Sequence, residues 1–184
     1  MRILLIGGGD GGMLREICKH KNVKEIVMVE IDEGVINASK QFFSDTLATC
    51  FNDPRLTLLI GDGAAYVETA RNFDCLLVDS SDPVGPASVL FENKFYKDCS
   101  QALNDGGVMC NQGECMWLHL HVDVIKPVLD HCRTCFKETA YFFCSVPTYP
   151  SGQIGFILGR KGGDSGDDDS ALPPLGEPTV HMDE

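Results

Sequence analysis

Arg2-Ile3-Leu4-Leu5-Ile6-Gly7-Gly8-Gly9-Asp10-Gly11-Gly12 runs from an aliphatic segment directly into glycines interrupted by one aspartate. Ile3 to Ile6 is too short and too apolar for a surface helix and fits a buried strand. Met13 to His20, which follows, has helix formers with apolar residues at three- and four-residue spacing. The order is therefore strand, glycine turn, helix. Gly7, Gly9 and Gly12 match the Gly-x-Gly-x-x-Gly spacing, which gives a tight turn, close approach of backbone to a ligand, and close helix-on-strand packing. That pattern is weak alone, but here Glu30 follows about twenty residues on, where such folds hold ribose hydroxyls. A nucleoside-binding loop is expected; the competing reading is a purely structural turn.

Asp10 departs from the pattern. Free N–H groups at a helix start favour phosphate or carboxylate, and a fixed carboxylate there repels both. The expected ligand is a nucleoside carrying a positive chain, not a pyrophosphate dinucleotide.

Downstream, Glu25 to Val29 reads as a second strand and Asp32 to Phe43 as a helix opened by an aspartate cap. Leu56 to Ile60 is a third strand ending in Gly61-Asp62-Gly63, with a short helix to Ala70, and Phe73 to Val78 a fourth ending at Asp79. Asp79 to Ala87, with two prolines and a glycine, is expected to be a loop before a helix from about Phe91 to Leu103. Asn104-Asp105-Gly106-Gly107 turns into a fifth strand, Val108 to Asn111; Trp117 to Cys135 is helical. Lys137 to Val146 and Gln153 to Gly159 form a closing antiparallel hairpin. Five strand–helix alternations specify a doubly wound α/β fold: a mostly parallel sheet of order 3-2-1-4-5, helices on both faces and right-handed crossovers. Ligands bind such sheets at the carboxyl ends of the strands where the order reverses, here between the first and fourth.

The chain has 184 residues, a net charge of -12, 43% hydrophobic and 23% charged residues, the profile of one globular domain. No run of eighteen apolar residues or signal-peptide pattern is present, so the cytoplasm is expected. The negative charge opposes nucleic-acid and anionic-membrane partners. Nine cysteines lie singly in apolar segments and read as reduced core residues. Cys132-x-x-Cys135 lacks a second pair at zinc spacing, so no metal is expected. The domain is placed at 1–160, and the acidic Gly/Asp/Ser segment 161–184 reads as a disordered tail.

Asp10, Glu30, Asp62, Asp79 and, at one remove, Glu114 each follow a different strand, which brings five acids to one rim. The competing reading is helix capping, for which Asp32 and Asp62 are well placed. Position assigns Glu30 to ribose hydroxyls, Asp62 with Gly63 to an adenine edge, and Asp10 to the chain beyond the ribose. Asp79 is the general base for a protonated amine nucleophile. Asp82 is a candidate for a distal ammonium, or merely a turn aspartate before proline. Tyr149 would cover the amine chain, or lie on the surface.

With these residues assembled, the sequence resembles the catalytic domain of the spermidine synthases, the aminopropyltransferases, from about Ile3 to Gly159. The motifs are Gly7-Gly8-Gly9-Asp10-Gly11-Gly12, Val29-Glu30-Ile31-Asp32, Gly61-Asp62-Gly63, Asp79-Ser80-Ser81-Asp82-Pro83, Gln112-Gly113-Glu114 and Tyr149-Pro150-Ser151-Gly152-Gln153-Ile154-Gly155-Phe156. The resemblance implies a Rossmann-like fold of the S-adenosylmethionine-dependent methyltransferase kind. The implied reaction is transfer of an aminopropyl group from decarboxylated S-adenosylmethionine to putrescine, giving spermidine and methylthioadenosine without cofactor or metal. It also implies that Asp79 accepts the proton, that Ser80, Ser81, Asp82, Gln112 and Tyr149 serve the substrates, and that Pro86 lines the adenine pocket. Family members are expected to form homodimers with help from a small N-terminal β-domain. This sequence starts at the strand after such a domain and leaves the family pattern after about Arg160. Two alternatives remain: a putrescine N-methyltransferase, and a truncated, inactive chain that binds nucleoside or pairs with a full-length subunit.

Overall fold

The computed structural model describes residues 1–80 and 85–163. The chain is organised about β1 (Arg2–Gly7), whose Leu4 and Leu5 have no exposed surface. After it come α1 (Gly12–Cys18), β2 (Glu25–Glu30), α2 (Glu33–Phe42), β3 (Leu56–Ile60), α3 (Gly63–Thr69) and β4 (Phe73–Asp79). A 3-10 segment (Gly85–Phe91) leads into α4 (Asn93–Ala102), β5 (Leu103–Gly113), α5 (His119–Arg133), β6 (Glu138–Ser145) and β7 (Gln153–Arg160). The sheet order is β3-β2-β1-β4-β5-β7-β6. The first five strands are parallel, while β7 pairs antiparallel with both β5 and β6. This is the doubly wound arrangement with its closing hairpin that the alternation of elements predicts.

Side-chain alternation along β1 divides the core. Leu4 and Ile6 face a cluster with Val67 of α3, Tyr96 and Cys99 of α4, and Val128 and Cys132 of α5. Ile3 and Leu5 face the opposite side, against Leu14 and Ile17 of α1. Fully burying one such aliphatic side chain stabilises by roughly 1.5–3 kcal/mol, which fixes β1 at the centre and its glycine end at the sheet's carboxyl edge.

Several boundaries differ from the sequence reading. β5 begins at Leu103, not Val108: Gly106 N–H donates to Lys161 O (3.1 Å) and Lys161 N–H to Gly107 O (2.9 Å), so the expected turn is drawn into the sheet beside a register shift against β4. The segment expected to loop as far as Ala87 turns into 3-10 helix from Gly85, since a proline is tolerated where its missing N–H has no helical partner. Trp117 and Leu118 precede α5 instead of opening it. None of the nine cysteines forms a disulfide, but Cys144 is exposed and is not a core residue. No helix among the described residues is long and apolar enough to cross a membrane. Ser81, Asp82 and the tail from Asp164 to Glu184 lie outside the described residues.

Candidate functional site

The glycine loop makes contact with both neighbouring strands at their carboxyl ends. Gly7 has φ +79°, and its Cα is so close to β4 that a Cβ would collide with the Asp79 carbonyl oxygen; the next N–H, of Gly8, donates to that same oxygen at 3.0 Å. On the other side, Gly9 N–H donates to Glu30 Oε2 at 2.9 Å, and a Cβ on Gly9 would lie 2.8 Å from that atom. Asp32 N–H donates to Glu30 Oε1 at 2.9 Å. The buried Glu30 carboxylate thus links β2, the start of α2 and the glycine loop.

The acids lie around one cavity of about 710 Å³. Gly7, Gly9 and Asp10 line it from the end of β1 and the loop after it, Glu30 from β2, Asp62 and Gly63 from the start of α3, and Asp79 and Ser80 from the end of β4. Gln112 of β5 and Tyr149 complete the wall. The opening lies where the strand order reverses, as expected for this topology.

Gly12 does not line the cavity; it is the first residue of α1, where its N–H donates to Asp10 Oδ1 at 2.9 Å. Glu114, counted among the five converging acids, does not line it either, and its backbone oxygen accepts from Tyr141 Oη at 2.8 Å. β5 ends at Gly113, so Gln112 is the last side chain of that strand directed to the cavity and Glu114 is carried past it. Ser81 and Asp82 lie outside the described residues, as does the side chain of Pro86.

Capping and cavity lining coexist at Asp62. Its Oδ1 accepts from Ala64 N–H at 2.8 Å and from Ala65 N–H at 3.4 Å, while the residue also lines the cavity. Asp32 is only a cap, accepting from Gly34 N–H at 2.7 Å. Asp79 differs from both. Burial pushes its carboxyl above the usual range, and the charges of Asp10 and Glu30 push it further in the same direction. A raised carboxyl makes a stronger base, and an electronegative cavity favours a cationic guest.

The apolar part of the wall escaped the sequence reading. Ile6, Val29, Ile31 and Val35 line one side and Val89 and Leu90 another. The one sequence signal was Ile31, an aliphatic residue between Glu30 and Asp32 and beyond the strand, and 62% exposed here. Aliphatic walls with acids at defined points suit a flat heterocycle whose hydroxyls and amines are recognised at its edges. Among the described residues no group of three His, Cys, Asp or Glu side chains could hold a metal.

The chain is similar to known proteins in sequence and in fold. A family model described as "Spermine/spermidine synthase domain" matches residues 1–166. Spermidine synthase 1 of Pisum sativum is 46% identical over 179 residues, covering 96% of this chain and 53% of that protein. Spermine synthase of Arabidopsis thaliana is 47% identical over 175 residues, covering 94% and 48%. A solved spermidine synthase in complex with the transition state analogue AdoDATO superposes with a TM-score of 0.82 at 34% identity, covering 88% of this chain and 55% of that one. The chain spans about half the length of the curated relatives it matches.

Proposed function

This chain belongs to the spermine/spermidine synthase family, and from that premise we propose that it transfers the aminopropyl group of decarboxylated S-adenosylmethionine to putrescine. The observation that carries the reading is Asp79, a half-buried carboxylate at the sheet's switch point whose basicity is raised by burial and by Asp10 and Glu30.

In this reading the adenine lies between the aliphatic walls, with Asp62, Gly63 and Pro86 at its edge, and the ribose hydroxyls meet Glu30. Asp10 takes the ammonium of the aminopropyl chain. The amine of putrescine lies beside Asp79, with Ser80, Ser81, Asp82, Gln112 and Tyr149 around its chain. Asp79 removes one proton from the attacking ammonium, and the free nitrogen pair then forms a bond to the carbon attached to the sulfonium. The carbon–sulfur bond breaks, its electron pair neutralises the sulfur, and the products are spermidine and methylthioadenosine. Because the sulfonium is already a good leaving group, most of the rate enhancement comes from alignment and from acids placed where positive charge is held. Neither metal nor cofactor takes part, the substrates are small molecules, and the assembly is a cytoplasmic homodimer.

Incubation with both substrates, followed by mass spectrometry, tests the reaction. Methylthioadenosine and spermidine should appear together in equal amounts. N-methylputrescine from intact S-adenosylmethionine would overturn the assignment in favour of methyl transfer, and binding of methylthioadenosine without turnover would leave a nucleoside-binding chain.

A further inference from the structure

The turn that carries Tyr149 is held from outside itself. Internally it closes through Tyr149 N–H to Val146 O (3.0 Å), Gly152 N–H to Tyr149 O (2.9 Å) and Val146 N–H to Gly152 O (2.9 Å). Ser151 nevertheless has φ +63°, a left-handed conformation that a non-glycine residue adopts only when its surroundings impose it. Those surroundings are the segment after β5. Tyr141 Oη donates to Glu114 O (2.8 Å), Ser151 Oγ donates to Cys115 Sγ (3.0 Å), and the Trp117 indole N–H donates to Gln153 Oε1. Gly155 is the residue that makes room, since a Cβ there would collide with both Tyr141 Oη and Glu114 O.

Two anchor points, Cys115 and Trp117, therefore connect the segment after β5, the strand that presents Gln112, to the turn that presents Tyr149 and to Gln153 at its edge, while Glu114 is tied to Tyr141 of β6. Gln112 and Tyr149 both line the cavity. Glu114 and Cys115 are partly or wholly buried, but Trp117 is 63% exposed, much more than packing an indole would leave. Its ring contributes little to the core, and its one specific polar interaction is aimed at the first residue of β7.

We infer that Trp117 is a positioning residue for the amine half of the reaction: by donating to Gln153 it sets where Tyr149 stands over the cavity, and so governs how tightly the amine is held. This rests on the aminopropyltransfer reading for the identity of the amine. The nucleoside half of the cavity, built by Glu30, Asp62 and Gly63, has no part in the clasp.

Trp117 is the only tryptophan in the sequence, which gives an assay independent of turnover. Putrescine titrated into protein holding methylthioadenosine should change the indole emission. Gln153→Leu should raise the half-change concentration about 3- to 10-fold, the effect of one neutral hydrogen bond, while Gln153→Glu, which keeps an acceptor, stays at or below the parent value. In the kinetic arm, Trp117→Phe keeps a ring but loses the donor, and should raise the putrescine KM by the same factor with kcat and methylthioadenosine affinity unchanged. The Trp117→Phe, Gln153→Leu double variant should cost no more than either single change. An indole signal indifferent to putrescine, additive single effects, or equal weakening of methylthioadenosine would overturn the inference. If the parent forms no spermidine, the emission titration decides alone: a Gln153-dependent half-point sustains the clasp although the proposed reaction has failed.

Discussion

The backbone N–H of Gly9 donates to Glu30 Oε2 at 2.9 Å, so the glycine loop is held by the very carboxylate expected to recognise ribose. With Asp32 N–H on Oε1, both oxygens of Glu30 already accept a backbone donor. A carboxylate can accept further hydrogen bonds from diol hydroxyls, whereas an amide must turn its NH₂ towards one of the two N–H groups. Glu30→Gln should therefore weaken every adenosine-containing ligand about 10- to 100-fold, the range expected for losing a hydrogen bond to a charged group. Calorimetric titration of methylthioadenosine checks this, with circular dichroism confirming the fold. An unchanged affinity would remove Glu30 from the ribose site.

Gly7 and Gly8 offer a matched comparison. Both have positive φ, at +79° and +74°, so alanine at either carries the same left-handed penalty of roughly 1–2 kcal/mol. At Gly8 the new Cβ meets side-chain atoms no closer than 3.4 Å, but at Gly7 it meets the Asp79 carbonyl oxygen, which is backbone and cannot swing away. Gly7→Ala should lower Tm well beyond Gly8→Ala and displace the end of β4. Equal losses in differential scanning calorimetry would mean that the β1–β4 contact adds nothing to the φ cost.

The origin of these contacts explains what the sequence disclosed and what it hid. Strand order, the switch point and the convergence of Asp10, Glu30, Asp62 and Asp79 follow from periodicity and connection rules, which are local and directional. The turn context pointed to Tyr149, and the resemblance to a family added Gln112. Hidden were contacts between segments distant in sequence. Trp117 read as the start of a helix because nothing local reveals that its indole is bonded to Gln153. Asn104 to Gly107 read as a plain turn because the partner that draws it into the sheet, Lys161, lies beyond β7. Ile31 and Val35 drew no reading of their own, since an aliphatic wall for a heterocycle looks the same in sequence as an aliphatic wall for a core.

Beneath the cavity, Asn111 Nδ2 donates to Tyr96 Oη at 2.6 Å, and both residues have no exposed surface. Asn111 Oδ1 has no hydrogen-bond partner among the described residues, so the tyrosine provides the interaction that this buried amide makes. Tyr96→Phe should cost about 1–3 kcal/mol and lower Tm by about 2 to 12 °C, because it strands the amide donor in an apolar core. Replacing both residues, as Tyr96→Phe with Asn111→Leu, should recover part of the loss. A double variant no more stable than the single one would show that the cost comes from packing and not from the unpaired amide.

As the proposed proton acceptor, Asp79 would set catalysis and stability against each other, and pH separates the two. Its folded-state carboxyl lies above the ordinary range because of burial, then Asp10, then Glu30. Below the unfolded value, about 3.9, both states are protonated and the group contributes nothing to stability. As pH rises past that value the unfolded chain loses its proton first, so the fold loses stability progressively until the raised folded value is passed, above which the loss is complete. Asp79→Asn should therefore raise Tm at neutral pH and give no gain near pH 3, while lowering turnover about 10²- to 10⁴-fold through loss of the proton acceptor. In the parent, kcat/KM should fall as pH drops through the raised value of the free protein, so its acid limb lies above the usual carboxylate range. Scanning calorimetry at the two pH values and a pH–rate profile read these outcomes independently. A neutral-pH Tm that falls in Asp79→Asn would show a carboxylate stabilised by its surroundings. Near-normal turnover of that variant at saturating substrate would place the proton acceptor elsewhere in the cavity.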